Sequence, residues 1–249
     1  MFFYFVEFYK VQQQIESNHI SLFNNQFMQD QLEFGYWNIR GIAQPLRYLL
    51  EYVELPYTQK NYNITESEWF DSLAKPPLNQ QILANLPYIK DGDKWIFESQ
   101  ALYIYIAHRA NRADLLGSSN EEQVVVEQVK GVLYDLFKAF RSLIAIPEAD
   151  YPAKKDEYFS NEVLWIIEKL NRFIEGKTWT AGNNLTYVDF FQFELEETFE
   201  AYKPGILNQF QNLRKHHDAF TQIPQIKAFL SSDRFIAKPF YPIKRWRWW

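Results

Sequence analysis

The chain has 249 residues, of which 47% are hydrophobic and 18% aromatic, so it can bury a full core as one large domain or two smaller ones. Its formal net charge of -5 argues against generic nucleic-acid binding, and the absence of cysteine excludes disulfides, thiolate metal sites and a cysteine nucleophile. No apolar run reaches the roughly 20 residues that span a bilayer, so we expect a cytoplasmic protein.

Residues 1–31 differ in composition from the rest of the chain. They are aromatic at the front, then rich in Gln and Asn, and they show no clear period. We predict a poorly ordered extension there, ahead of the folded part.

The next segment predicts a strand, a tight turn and a helix. Residues 32–37 alternate like a half-buried strand, Pro45 suits the first turn of a helix, and Leu46, Leu49 and Leu50 follow at helical spacing. Such a turn directs backbone N–H groups and the positive end of the helix dipole at one point, where an anion can sit. The hydroxyl of Tyr36 lies beside that point and can donate a hydrogen bond to the anion.

Alternating strand and helix patterns continue to about residue 112. Residues 58–64 predict a second strand, residues 86–90 and 94–98 predict two more, and Asp91-Gly92-Asp93 between them is a strong hairpin signal. A helix is predicted from Ser99. The β-α-β-α-β-β-α order over residues 32–112 is that of a thioredoxin-like domain.

Beyond a linker at residues 113–118, long helical periods predict an all-helical domain over residues 119–249. Thr186 and Asp189 form a capping box at the start of one helix. The adjacent pairs His216-His217 and Glu196-Glu197 are interpreted as solvated helix surface. Adjacent histidines cannot share one helix face, so no metal site is predicted.

The run Gly35-Tyr36-Trp37-Asn38-Ile39-Arg40-Gly41 resembles the start of a mu-class glutathione transferase, and residues 232–239 resemble a run near the end of that class. The resemblance covers residues 33–242. It implies a thioredoxin-like N-terminal domain followed by a C-terminal α-helical bundle, with Tyr36 holding the thiol of glutathione as a thiolate.

The resemblance also implies which residues bind glutathione. These are Trp37, Ile42, Trp69, Lys75, Asn85, Leu86, Pro87, Glu98, Ser99 and Asp135. Pro87 is expected to be cis, which leaves the N–H and C=O of Leu86 free to pair with an extended peptide. Ser99 at a helix start suits a carboxylate, Glu98 suits an ammonium group, and Asp135 is expected to come from a neighbouring subunit.

The electrophile side is expected to include Ile39, Tyr134 and Tyr241, with Ala145 where mu-class enzymes often place a second tyrosine. A homodimer is expected, although Leu83 and Ile104 replace a phenylalanine and an arginine of the mu-class contact. The tail Lys244–Trp249 alternates cations and tryptophans, which suits either weak membrane contact or a fold over the apolar cleft.

The sequence therefore predicts an enzyme that conjugates the glutathione thiolate to hydrophobic electrophiles. Glutathione is a co-substrate, and no other cofactor, metal or nucleic-acid partner is expected. Two alternatives stay open: a non-catalytic binding or structural subunit of a larger assembly, and a glutathione-dependent isomerase of a lipid endoperoxide. Thiol-transferase chemistry is disfavoured because it needs a protein cysteine.

Overall fold

The computed structural model describes residues 31–242. The order of the extension before residue 31 and the membrane contact of the tail Lys244–Trp249 therefore lie outside the described residues.

A four-stranded sheet with three helices forms the first half of the described chain. Its elements are β1 (Leu32–Trp37), α1 (Gln44–Tyr52), β2 (Tyr57–Tyr62), α2 (Glu68–Leu73), β3 (Tyr88–Asp91), β4 (Lys94–Phe97) and α3 (Ser99–Arg109). The strands lie in the order β2-β1-β3-β4, with β1 and β2 parallel and the other pairs antiparallel. The predicted β-α-β-α-β-β-α order is confirmed.

The turn between β3 and β4 shows why the hairpin forms where the sequence predicts it. Asp91 pairs with Lys94, and Gly92 between them has φ +58°, a left-handed conformation that glycine adopts without steric penalty. The hairpin brings the end of β4, and hence the start of α3, to the edge of the sheet beside the loop that precedes β3.

Helices alone form the second half. They are α4 (Asn120–Ala145), α5 (Tyr151–Tyr158), α6 (Trp165–Phe173), α7 (Tyr187–Tyr202), α8 (Gln211–Thr221) and α9 (Pro224–Leu230), with a π-helical turn at Phe159–Leu164 between α5 and α6. The predicted capping box starts α7: Asp189 accepts hydrogen bonds from the backbone N–H and the hydroxyl of Thr186. No helix within residues 31–242 has the length and apolar character needed to cross a membrane.

The two halves share one hydrophobic core. Tyr48 of α1 is fully buried, and its ring lies 5.3 Å from that of Phe193 in α7 and 6.2 Å from that of Phe220 in α8. Helix α1 therefore fixes the start of the sheet against the helical bundle, and the turn between β1 and α1 lies at the junction of both halves.

Candidate active site

Tyr36 is the last residue but one of β1, and its hydroxyl lies against the following turn. Gly41 opens a short 3-10 helix, Gly41–Ala43, that leads into α1. Gly41 has φ +47°, and a Cβ placed on it would lie 2.6 Å from the Tyr36 hydroxyl oxygen. Only glycine allows the backbone to approach the hydroxyl this closely. The predicted strand, turn and helix are confirmed, with Pro45 in the first turn of α1.

The hydroxyl of Tyr36 is held as a neutral donor. Burial raises the pKa of this hydroxyl, while the backbone N–H of Ile42 and the charge of Arg47 lower it by smaller amounts. Because the hydroxyl stays neutral, it keeps a proton that it can donate to a second group. The side chain is 8% exposed, and its exposed part lines a cleft.

Contacts from the end of the chain hold the turn in place. The backbone N–H groups of Arg40 and Gly41 donate to the carbonyl oxygens of Pro239 and Phe240 at 2.9 and 2.8 Å. The Arg40 guanidinium lies 4.0 Å from the centre of the Phe240 ring. The turn therefore depends on residues almost 200 positions away in sequence.

A buried ion pair ties the same turn to the bundle. Arg40 is 2% exposed, and its Nε and Nη2 donate to the two carboxylate oxygens of Glu194 at 3.0 and 2.5 Å. Burial lowers the pKa of the Arg40 guanidinium, but the combined effects of Glu194, Tyr48 and Glu197 outweigh it and the net shift is upward. Arg40 therefore remains a cation beneath the turn.

The cleft beside Tyr36 has a volume of about 730 Å³ and lies between the turn and α4. Its lining includes five of the predicted site residues, namely Tyr36, Trp37, Ile39, Ile42 and Tyr241. Ala145 lies in it as well. Sequence reasoning missed Lys138 and Arg141, which line the same cleft. The helical period of α4 was the signal that could have found them, since they lie one turn apart on one face.

A second group of predicted residues lies where β4 ends and α3 begins, beside the loop that precedes β3. Asn85 joins two of them, because its Nδ2 donates to Glu98 Oε1 at 3.0 Å and its Oδ1 accepts from the N–H of Leu86 at 2.9 Å. The expectation that both backbone groups of Leu86 are free is therefore wrong for the N–H, because the neighbouring side chain folds back onto it. The peptide bond between Leu86 and Pro87 is cis, as expected.

Ser99 and Tyr134 meet in this group, with their hydroxyl oxygens 3.1 Å apart. Ser99 is 7% exposed and is the first residue of α3, while Glu98 before it has φ +69°. Such a conformation is uncommon for a residue with a side chain and is often found at functional sites. Tyr134 was assigned to the electrophile side, but the structure places its hydroxyl at Ser99, away from the lining of the cleft.

Three further predicted residues lie apart from the cleft. Trp69 is 4% exposed, because it is the buried residue of α2 and its ring packs against those of Tyr62 and Tyr88 at 5.3 and 6.0 Å. Lys75 follows the end of α2 and is exposed, and it lines a separate surface hollow with Asp71 and Ser72. Asp135 is on the outer surface of α4, where its side chain is 70% exposed.

The two adjacent pairs in the helical half do not form solvated surface. His216 is 2% exposed, with Nδ1 3.0 Å from both carboxylate oxygens of Glu196 and Nε2 3.2 Å from Asp189. His217 pairs with Glu197 at 2.8 Å. The interpretation as exposed helix faces is wrong because α7 is covered by α8, and the carboxylates of one helix meet the imidazoles of the other.

Comparison with known proteins identifies the family to which the chain is similar. Residues 32–108 match the model of the glutathione S-transferase N-terminal domain, and residues 134–233 match that of the C-terminal domain. Glutathione S-transferase Mu 4 of Homo sapiens is 30% identical over 216 residues, covering 84% of this chain and 95% of the relative. Glutathione S-transferase B of Cavia porcellus is 32% identical over 219 residues, with the same shares covered.

A solved structure has the same fold. The pi-class glutathione S-transferase of Onchocerca volvulus superposes with a TM-score of 0.73 at 20% identity, covering 86% of this chain and 99% of that one. The family models match both halves of the chain, and the mu-class relatives extend over most of it. The chain therefore belongs to the glutathione S-transferase family and is a transferase with mu-class relatives.

Proposed function

We propose that this transferase activates glutathione through a hydrogen bond from Tyr36 to the thiolate sulfur. The single observation that carries the proposal is the state of the Tyr36 hydroxyl. Burial raises its pKa, its oxygen lies against the turn at Gly41, and the residue borders a cleft of about 730 Å³. A neutral hydroxyl in this position has its own proton left for a ligand.

The energy required is within reach of these groups. A free thiol has a pKa of about 8.5, and lowering it by roughly two units requires about 2.7 kcal/mol of preference for the anion. A charge-assisted hydrogen bond supplies about 1.5–3 kcal/mol, and a helix N-terminus adds about 0.3–1 kcal/mol. The thiolate then attacks an electrophilic carbon held against the apolar side of the cleft and forms a thioether.

The peptide part of glutathione is proposed to extend from Tyr36 towards the second group of residues. Ser99 offers a hydroxyl at the N-terminus of α3, and Glu98 offers a carboxylate for the ligand's ammonium group. To pair with Leu86, the ligand must displace the side chain of Asn85 from the Leu86 N–H. Trp69 and Lys75 are proposed for the glycyl end of glutathione.

A homodimer in the cytoplasm is proposed as the working form. Ile82, Leu83 and Ile104 are 100%, 72% and 46% exposed, and large apolar side chains of this kind are typical of surfaces that bind a second copy. Asp135 on the exposed face of α4 is proposed to reach the ammonium group of glutathione in the partner. A cytoplasmic location suits the chemistry because thiols stay reduced there.

The test is an ultraviolet titration of the thiolate in the glutathione complex, for the wild type and for Tyr36→Phe. We expect a depressed thiol pKa in the wild type that returns towards the solution value in the variant. Tyr105→Phe is the matched control, because its hydroxyl bonds to Asp91 in the hairpin instead of the cleft. If glutathione binds but no thiolate forms near neutral pH, the protein is a binding or structural subunit instead.

A further inference from the structure

The cleft beside Tyr36 carries two cations on one wall. Lys138 and Arg141 are three residues apart on α4, on the same face of the helix, and Ser142 adds a hydroxyl next to them. None of the described residues that line the cleft has a carboxylate side chain. The wall opposite the turn is therefore positively charged, although the protein as a whole is acidic.

Arg141 is the cation of the two that is available to a ligand. Within residues 31–242 its guanidinium has no hydrogen-bond or ion-pair partner, and its position is supported by the ring of Phe137 at 5.7 Å. Lys138, by contrast, has its ammonium group 3.7 Å from the carboxylate of Asp135. Arg141 thus presents five unused donors in a planar fork that matches a carboxylate.

The charge of Arg141 reaches the reacting centre. It helps to lower the pKa of the Tyr36 hydroxyl, an effect smaller than the opposing effect of burial, and it acts in the same direction on Tyr241. Arg141 and Tyr36 line the same cleft, so a ligand group bound to Arg141 can belong to the second substrate.

The position of Arg141 along α4 separates it from the glutathione side of the site. Tyr134, whose hydroxyl meets Ser99, precedes Arg141 by seven residues, which corresponds to about 10 Å along the helix axis. Between the cations and the turn the cleft is lined by the apolar side chains of Ile39, Ile42 and Phe137. A ligand that fills this space has an apolar body and an anionic group.

We propose that the cleft selects electrophiles that carry a carboxylate on an apolar body, and that Arg141 binds this carboxylate. The inference rests on the proposed function, since it concerns the second substrate of the same site. Arg141 is then a specificity-determining residue: it fixes the end of the electrophile remote from the reacting carbon. The apolar body lies against the turn, next to the sulfur.

The test compares ethacrynic acid with its methyl ester, which differ in charge far from the reacting carbon. In both, the thiolate sulfur bonds to the β-carbon of the unsaturated ketone, the alkene electron pair moves to give an enolate, and the α-carbon takes a proton from water. We expect Arg141→Gln to lower kcat/KM for the acid about tenfold, equivalent to about 1.4 kcal/mol, mainly through KM. The kcat/KM for the methyl ester should change by less than about twofold.

Three comparisons sharpen the result. Arg141→Lys keeps the charge and should restore part of the preference for the acid. Lys130→Gln removes one charge from the outer part of the same helix, where Lys130 pairs with Glu127, and should leave the preference unchanged. High salt should weaken the preference in the wild type, because the cations are exposed at the cleft.

Two outcomes would overturn the inference. One is an unchanged kcat/KM for both the acid and the ester in Arg141→Gln. The other is an equal loss for acid and ester together with a raised thiol pKa in the glutathione complex, which would show that Arg141 acts on the thiolate instead of the second substrate.

Binding without reaction separates this inference from the transferase proposal. The probes are 2,4-dichlorophenoxyacetate and its methyl ester, with affinities measured by calorimetry on the full chain. If neither electrophile is conjugated, but the acid binds more tightly than the ester and Arg141→Gln abolishes the difference, the anion site stands and the transferase proposal falls. If the electrophilic ester is conjugated but both probes bind equally, the transferase stands and the anion site falls.

Discussion

Gly41→Ala tests how closely the turn must approach the hydroxyl of Tyr36. An added Cβ would lie 2.6 Å from that oxygen, so the oxygen must retreat by about 0.4 Å to reach even a very tight contact of 3.0 Å. This movement shifts the hydroxyl from its position against the turn, from which it would donate to the sulfur.

Gly92→Ala provides a control with the same backbone cost. Gly92 has φ +58°, close to the +47° of Gly41, but a Cβ on it would meet nothing within 4 Å. Holding alanine in the left-handed region costs about 1–2 kcal/mol at either site. The forced contact at Gly41 adds about 1–3 kcal/mol. We expect the free energy of unfolding to fall by about 1–2 kcal/mol in Gly92→Ala and by about 2–5 kcal/mol in Gly41→Ala.

The assays are urea unfolding followed by circular dichroism, and titration of the glutathione thiol in each variant. Gly41→Ala should raise the thiol pKa and lower kcat/KM by about 10–100-fold, because a misplacement of about 1 Å costs on the order of 100-fold. Gly92→Ala should retain wild-type kinetics. In the Tyr36→Phe background the oxygen is absent. There, Gly41→Ala should lower the free energy of unfolding by about 1 kcal/mol less than it does in the wild type. The reasoning would be refuted if both variants lost the same free energy of unfolding and the thiol pKa stayed unchanged in both.

Three further predictions concern the ion pairs and the exposed apolar surface. At pH 8, Glu194→Ala should destabilise the protein by about 3–5 kcal/mol in urea unfolding, because it leaves the charge of Arg40 buried without its bidentate partner. A fall in the free energy of unfolding of less than about 1 kcal/mol would contradict this. Burial lowers the pKa of His216, but the charges and hydrogen bonds of Glu196 and Asp189 together outweigh it and raise this pKa to about 10. Since this is above the unfolded value of 6.5, the contribution of His216 to stability is complete below pH 6.5 and is lost as pH rises towards 10. The stability difference between wild type and His216→Gln should therefore shrink over that interval; a constant difference would show that His216 does not titrate there. Leu83→Asp should shift the molecular mass measured by light scattering towards the monomer, whereas an unchanged mass would place the dimer contact elsewhere.

Much of the fold and part of the site follow from local sequence. The β1–turn–α1 junction, the hairpin around Gly92 and the capping box at Thr186 appear where the sequence predicts them, because each depends on residues within a few positions of one another. The same is true of the placement of Tyr36 beside the turn. Turn chemistry and periodicity are local properties, so a single sequence reveals them.

Burial of charge could not be predicted in this way. The pair Glu196-Glu197 has the composition of an exposed helix face, yet Glu196 is 2% exposed because His216 of α8 faces it. The burial of Trp69 was not foreseen either, since Tyr62 and Tyr88, which pack against its ring, come from β2 and β3. In each case the partner comes from another element, and the spacing along the chain carries no information about which elements meet.

The sequence by itself determined the order of elements, the family resemblance and the tyrosine at the helix start. The tertiary structure alone decided what holds that tyrosine in place: Arg40 meets Glu194 across 154 residues, and the turn is hydrogen-bonded to the segment at Pro239. It also placed Arg141 opposite Tyr36, across the cleft. The physical reason is that local conformation depends on neighbours in the chain, whereas pairing of charges and the shape of a cleft depend on how distant elements pack.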